Sequence, residues 1–301
     1  MNPSRFWGTL EYILEVRERQ GIGLRFFSSG DPVVTHRERM KFRIISSQIT
    51  AFFLLAACAV LAQSKHVPAK SAKPANVIAK PAAVPFRAGE SLTYRVSWTA
   101  FSNAATVQLA IPEQRDLWGA PTWHFRAAAH TQSPVRSLFA IDDQFDSYAD
   151  TQMLLTRQYE MHLNEMGKTE DDALHFAAPG QDTHAPPPLT VVDPGTRDPL
   201  DVVYALRTLN WPQTPEFRAP VYDGRQLYQI VAKRETTSDV MRVAAGNFTA
   251  GRIVIQVLQD NKEISAIHFI VWIANDSART PVAFQANLPF GALKAELVSI
   301  Q

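Results

Sequence analysis

Cysteine is nearly absent: the 301 residues hold one, Cys58. A lone thiol excludes an intrachain disulfide framework and a cysteine-built zinc centre, so the folded part must stand on its apolar core. An excess of positive charge is missing too. Residues 86–301 carry 18 Lys/Arg against 24 Asp/Glu, a net of −6, while residues 44–85 hold four lysines and no acid. A mildly acidic domain without a basic stripe excludes nucleic acid as a partner, because that binding needs clustered Lys/Arg to displace counterions. Recognisable catalytic motifs are lacking as well. Gly-x-Ser-x-Gly, His-Glu-x-x-His, a P-loop and Gly-x-Gly-x-x-Gly do not occur. The chain therefore reads as non-enzymatic, with no catalytic residue, no cofactor and no metal site expected.

The histidines of 86–301 are scattered without ligand spacing. His124 and His130, six apart on one strand, would stand about 20 Å from each other and read as surface or locally satisfied side chains. Carboxylates cluster at Asp142, Asp143 and Asp146 and again at Glu170-Asp171-Asp172. Neighbouring strand residues point to opposite faces, so Asp142 and Asp143 make a poor acid/base pair, and both clusters read as solvated loops.

The N-terminal part carries an address. Met40-Lys41-Phe42-Arg43 is a short cationic stretch, and the apolar run that follows it ends in Val60-Leu61-Ala62. A charged start, an apolar middle and a small-residue exit make a signal peptide over 40–62, with residues 1–39 an upstream segment of no expected role. Two processing routes fit: cleavage after Ala62, or lipidation of Cys58 within Leu55-Ala56-Ala57-Cys58. Residues 63–85, rich in Lys, Ala and Pro, read as an extended linker that can bury no core. The product is expected outside the inner membrane, periplasmic or membrane-anchored through Cys58.

From residue 86 to 301 the pattern is that of one β-rich domain. Leu92, Tyr94, Val96 and Trp98 alternate with polar residues, as a half-buried strand requires. Trp118-Gly119-Ala120-Pro121 marks a turn, and Val135–Ile141 suits a short helix. Asp198 before Pro199 and an apolar run at helical spacing predict a helix that Trp211-Pro212 ends. Asp223-Gly224 predicts a type I′ hairpin. In Ile264–Ile273, Ile267, Phe269, Val271 and Ile273 share one face while Ile270 and Trp272 take the other. Such a strand must be covered on both sides, by core and by a helix, loop or ligand. Many strands with few helices make the domain mainly β, with an antiparallel, meandering sheet.

Three segments together carry a resemblance. They are Gly89-Glu90-Ser91-Leu92-Thr93-Tyr94, Asp198-Pro199-Leu200-Asp201, and Trp272-Ile273-Ala274-Asn275-Asp276-Ser277-Ala278-Arg279-Thr280-Pro281-Val282. Their order is similar to that of the exported bacterial family called domain of unknown function 3108. The last segment also resembles, more weakly, a strand–turn–strand of periplasmic lipoprotein carriers. That likeness implies a curved, antiparallel, half-barrel-like sheet with one or two capping helices, whose concavity holds acyl chains. On this reading Gly89, Glu90, Tyr94, Asp198, Asp201, Asp276 and Pro281 are structural, and Trp98, Phe125, Phe269, Trp272 and Arg279 are the candidate ligand-binding residues. The expected function is binding of a lipid or lipoprotein acyl chain by an envelope protein. The alternatives are an envelope scaffold that binds a protein partner and a hydrolase with an unrecognised site.

Overall fold

The computed structural model describes residues 84–180, 183–265, 267–288 and 291–301. The upstream segment 1–39, the signal peptide with Cys58, and all but the last two residues of the 63–85 linker lie outside the described residues. The described chain is mainly β. Strands β1 (Ser91–Trp98), β2 (Phe101–Leu117), β3 (Ala120–Thr131), β4 (Asp142–Asp150), β5 (Thr156–Glu165) and β6 (Lys168–Ala177) form an antiparallel meander. After β7 (Leu189–Val191) comes one helix, α1 (Pro199–Thr208), and then β8 (Glu216–Tyr222) and β9 (Leu227–Val243). The chain closes with β10 (Gly246–Gln259), the two-residue β11 (Lys262–Glu263), β12 (His268–Ala274), β13 (Pro281–Leu288) and β14 (Gly291–Ile300).

All but β11 lie along one path, β7-β6-β5-β4-β3-β2-β1-β14-β13-β12-β10-β9-β8, and β11 pairs with β10. The sheet is unclosed, yet it curls until its edges approach each other. Phe176 of β6 meets Tyr222 of β8 edge-on at 6.0 Å, and Arg225 in the β8–β9 turn lies 3.9 Å from Glu170 of β6. Residues 189–197 strap this seam. β7 pairs in parallel with β6, and farther along Arg197 exchanges backbone hydrogen bonds with Pro220 and Tyr222 of β8.

Alternation places the apolar residues inside. Leu92, Tyr94 and Val96 of β1, Phe125 of β3 and Phe145 of β4 are buried in one cluster; Ile253 and Ile255 of β10 with Phe269 of β12 anchor a second. α1 lies between the two clusters and belongs to both: Leu200, Val203 and Tyr204 pack into the first, Val202 and Leu206 into the second. Every residue from Pro199 to Arg207 is buried. A helix with a polar side faces water with it; one buried all round fills the interior.

Both ends of α1 are pinned. At the start, the Asp198 carboxylate accepts from the amides of Leu200 (2.8 Å) and Asp201 (2.9 Å), as an N-cap does. Ser147 of β4 and Thr156 of β5 donate to its other oxygen at 2.5 and 2.7 Å. At the end, Arg207 is fully buried and forks onto Glu90, at 2.5 and 3.0 Å. It also donates to the carbonyls of Ala278 and Arg279, and Arg279 donates back to the carbonyls of Arg207 and Leu209. The β12–β13 turn, the entry to β1 and the end of α1 are thus one hydrogen-bonded unit.

Several expectations change. Both acid clusters lie in strands, β4 and β6, rather than in solvated loops, and Asp143 and Asp146 are buried. Partners on the adjoining strands make this possible. The helix expected over Val135–Ile141 is one 3₁₀ turn, Val135–Ser137. In the β8–β9 turn the positive φ falls on Gly224, the first central residue, and not on Arg225. That is the II′ pattern rather than I′. The second apolar face of β12 is covered, as expected, and the chain itself supplies the cover. The far half of the β9–β10 hairpin lies across it, with Met241, Val243 and Phe248 against Ile270, Trp272 and Ala274.

Glu90→Gln should lower stability by roughly 3–5 kcal/mol in urea unfolding, because it leaves Arg207 charged and unpaired in the interior. Adding Arg207→Met should restore most of that loss. A double variant as unstable as the single one would show that the pair is not the source.

Candidate functional site

The interior beside α1 is the first place to look for a ligand. A cavity of about 40 Å³ opens there, lined by Tyr94, Val107, Val203, Phe269, Phe284 and Leu293 among others. It is apolar, but ligand pockets run to about 300–1,000 Å³. This one holds at most a few waters. A second, of about 20 Å³, lies between Pro199 and Val202 of α1 and Val221, Tyr228 and Ile230.

The five residues expected to bind a ligand do not meet there. Phe269 lines the cavity. Phe125 faces inward and stacks on Tyr204 of α1 with ring centroids 3.8 Å apart. Trp98 sits half-buried at the end of β1, 6.1 Å from both Phe101 and Phe139. Trp272 is on the opposite face of β12 and donates its indole N–H to Asp239 at 2.6 Å. Arg279 holds the carbonyls at the end of α1. The structural set does converge. Gly89 and Glu90 exchange backbone bonds with Ile111, Tyr94 donates its hydroxyl to the Pro281 carbonyl at 2.7 Å, and Asp276 accepts from the Thr280 amide. With Asp198 at one end of α1 and Glu90 at the other, all three motifs serve the helix. Asp201 is buried beside Arg197 (2.9 Å), and burial holds its carboxyl well above the usual carboxylate range.

The outward face of β3, β4 and β5 carries a denser group of polar side chains than any place read from the sequence. Alternation puts Phe125, Phe145 and Tyr159 inside, so His124, Arg126, Asp146 and Glu160 point outward across neighbouring strands. Asp146 accepts from His124 Nε2 (2.5 Å) and Arg126 Nε (2.7 Å) through one oxygen and from Gln144 Nε2 (2.6 Å) through the other. These three hydrogen bonds hold its carboxyl below the ordinary value against the opposing effect of burial. The His124 ring stacks on Tyr148 at 4.5 Å, and Arg115 lies over Tyr148. Next to them His162 faces Glu160 at 3.6 Å and Asp171 at 2.8 Å. The sequence conceals this group because its members are two apart on each strand and come together only through strand pairing.

The family model described as a protein of unknown function, DUF3108, matches residues 93–298. The chain belongs to that family. The match takes in every strand from β2 to β13 and all of α1, so the pinned helix lies inside the DUF3108 unit. Among solved structures, a β-barrel-like protein of domain of unknown function DUF1849 from Brucella abortus is similar at 9% identity and a TM-score of 0.43. That match covers 73% of this chain and 99% of the other. A protein described as exported, with a YmcC-like fold, from Bacteroides fragilis matches at 9% identity and 0.33, over 72% and 98%. A protein described as a lipoprotein from Parabacteroides distasonis matches at 9% and 0.35, over 72% and 98%. No curated protein matches.

One further buried acid stands in this DUF3108 fold. Asp143 accepts from the Asn164 amide at 2.6 Å through one oxygen, and its other oxygen has no hydrogen-bond partner. Burial, with Glu165 and Asp142 adding to it, pushes its carboxyl up to about 7. An acid whose folded value exceeds its unfolded one stabilises the fold below the unfolded value, near 4, and loses that contribution as pH rises through about 7. Asp143→Asn removes the titration and keeps the acceptor oxygen. Relative to the parent it should gain roughly 2 kcal/mol between pH 5 and pH 8 in urea unfolding. A difference that is the same at both pH values would refute the assignment.

Proposed function

We propose that the chain is an exported, non-enzymatic protein of the bacterial envelope that acts as a scaffold through its outer surface rather than as a lipid carrier. The observation that carries this reading is the occupied interior: α1 fills the curl of the sheet and leaves about 40 Å³. An acyl chain could enter only in place of the helix. Expelling α1 would expose Leu200, Val202, Val203, Tyr204 and Leu206, at about 1.5–3 kcal/mol each. It would also undo the hydrogen bonds of Arg207 to Glu90 and to the Ala278 and Arg279 carbonyls. Burying a myristoyl-length chain returns about 10 kcal/mol at ~0.8 per CH₂. The exchange runs against the lipid.

Export is supported by the cationic and apolar run at 40–62. Among the described residues no helix is long and apolar enough to cross a membrane. A second reading, an apolar ligand beside α1, is favoured by the hydrocarbon lining of the cavity. It requires a guest small enough for about 40 Å³, or a helix that moves.

Native mass spectrometry of the protein purified from an envelope fraction, with lipid extraction of the same sample, separates the two. The expected result is the mass of the protein alone and lipid far below one per chain. One tightly held lipid per chain would replace the scaffold with the carrier.

A further inference from the structure

We infer that the outward face of β4 and β5 is a binding site for one divalent first-row transition ion of the zinc class, held by Asp146, Glu160 and His162. Each of the three offers one ligand atom, and these atoms lie within 4.8 Å of one another. Glu160 and His162 present theirs 3.6 Å apart. Two ligands each about 2.0–2.2 Å from a tetrahedral ion stand roughly 3.3–3.6 Å from one another, so this pair is already spaced for a shared metal.

The surroundings are those a metal site needs. A ligating imidazole normally gives its other ring nitrogen to a carboxylate, which fixes ring and tautomer. His162 Nδ1 is 2.8 Å from Asp171, which turns Nε2 toward Glu160. Asp146 is held in turn by His124, Arg126 and Gln144, and Glu160 by Gln158. His124, itself buried, spends its Nε2 on Asp146 and stacks its ring on Tyr148, which holds the Asp146 carboxylate in place. Pairing fixes the array. Asp146 stands opposite Glu160 and Gln144 opposite His162 in one unbroken stretch of the β4–β5 ladder.

The donor set also chooses the ion. Calcium takes six to eight oxygen ligands, and magnesium keeps most of its water, so neither has use for an imidazole with two carboxylates. One nitrogen and two oxygens, with Arg126 offsetting part of the carboxylate charge, suit a borderline ion. Asp146 is buried while the His162 side chain is 43% exposed, so the fourth position opens to solvent and takes water or an outside ligand. This site is independent of the scaffold reading. An ion that joins β4 to β5 can exist whether or not the interior binds a guest.

The test is equilibrium dialysis of the full chain, freed of any affinity histidines, against zinc and against calcium at micromolar free ion, with bound metal read by elemental analysis. One zinc per chain and no calcium are expected, together with a rise in Tm that zinc confers and chelator removes. His162→Ala and Glu160→Gln should abolish the stoichiometric ion. Asp171→Asn should weaken it by about 10–100-fold, and His130→Ala, on the same face but paired with Asp142, should leave it intact. The substituted side chains are at least partly solvent-facing, so all variants should melt like the parent in chelator. X-ray absorption of the loaded protein should show one nitrogen donor among oxygens. No binding by the parent, or binding that survives both His162→Ala and Glu160→Gln, overturns the site.

Discussion

A charged guanidinium inside the barrel-like curl is the constraint on which the rest depends. Arg207 has no water, so Glu90 and the carbonyls of Ala278 and Arg279 must be delivered to it. Glu90 comes from the entry to β1, and the two carbonyls from the turn between β12 and β13. These segments are far apart in sequence and adjacent only when the meander has curled through β14. The same contact therefore fixes the position of α1 and the closure of the sheet. A buried pair of this kind adds little net stability over a hydrophobic substitute, yet it strongly penalises any arrangement in which one member is left alone. Its effect is to make one register of helix and sheet much better than its neighbours.

The other end of α1 works differently. Asp198 spends one oxygen on the amides at the helix start and the other on Ser147 and Thr156, so the N-cap also locates the helix against β4 and β5. Burial raises the carboxyl of Asp198, and the hydroxyl donors pull the other way. The motif Asp198-Pro199-Leu200-Asp201 is thus a statement about the interior, not about a ligand. The same holds for Arg279, whose positive φ of 45° in the β12–β13 turn aims its side chain at the end of α1.

What was legible in the sequence follows from how local each signal is. The N-cap, the proline and the periodicity of α1 lie within ten residues, and α1 runs as they predict. The alternation in β1 and the two apolar faces of β12 are local as well. β6 was hidden because Lys168-Thr169-Glu170-Asp171-Asp172 has a poor strand composition, and only the pairing with β5 holds it extended. The middle of β9, Arg234-Glu235-Thr236-Thr237-Ser238, was hidden for a related reason. Gly251 pairs with Ser238 and Ile253 with Arg234, so β9 carries two extra residues there and the alternation is broken. The buried charge of Arg207 shows in sequence only as one basic residue in an otherwise apolar helix, which a solvated end explains equally well. The Asp146 group carries no local sign at all, since its order exists only across strands.

That break in β9 bears on where function can reside. A sheet that curls around a helix uses its inner face for stability, and on the scaffold reading proposed above binding falls to its outer face. The outer face is not uniform, however. Over β12 and β13 the kinked β9–β10 hairpin lies across Ile270, Trp272 and Val282 and removes that area from solvent. Over β3, β4 and β5 the outward side chains include carboxylates, imidazoles and amides that hydrogen-bond to one another. An apolar outer face needs only a cover, and the chain supplies one. The desolvation of buried Asp146 is offset by its three hydrogen bonds, while Glu160 and His162 stay partly open to solvent. On the metal-site reading proposed above, a bound ion completes the open positions of Glu160 and His162, and the outside ligand of this fold falls on its β3–β5 face.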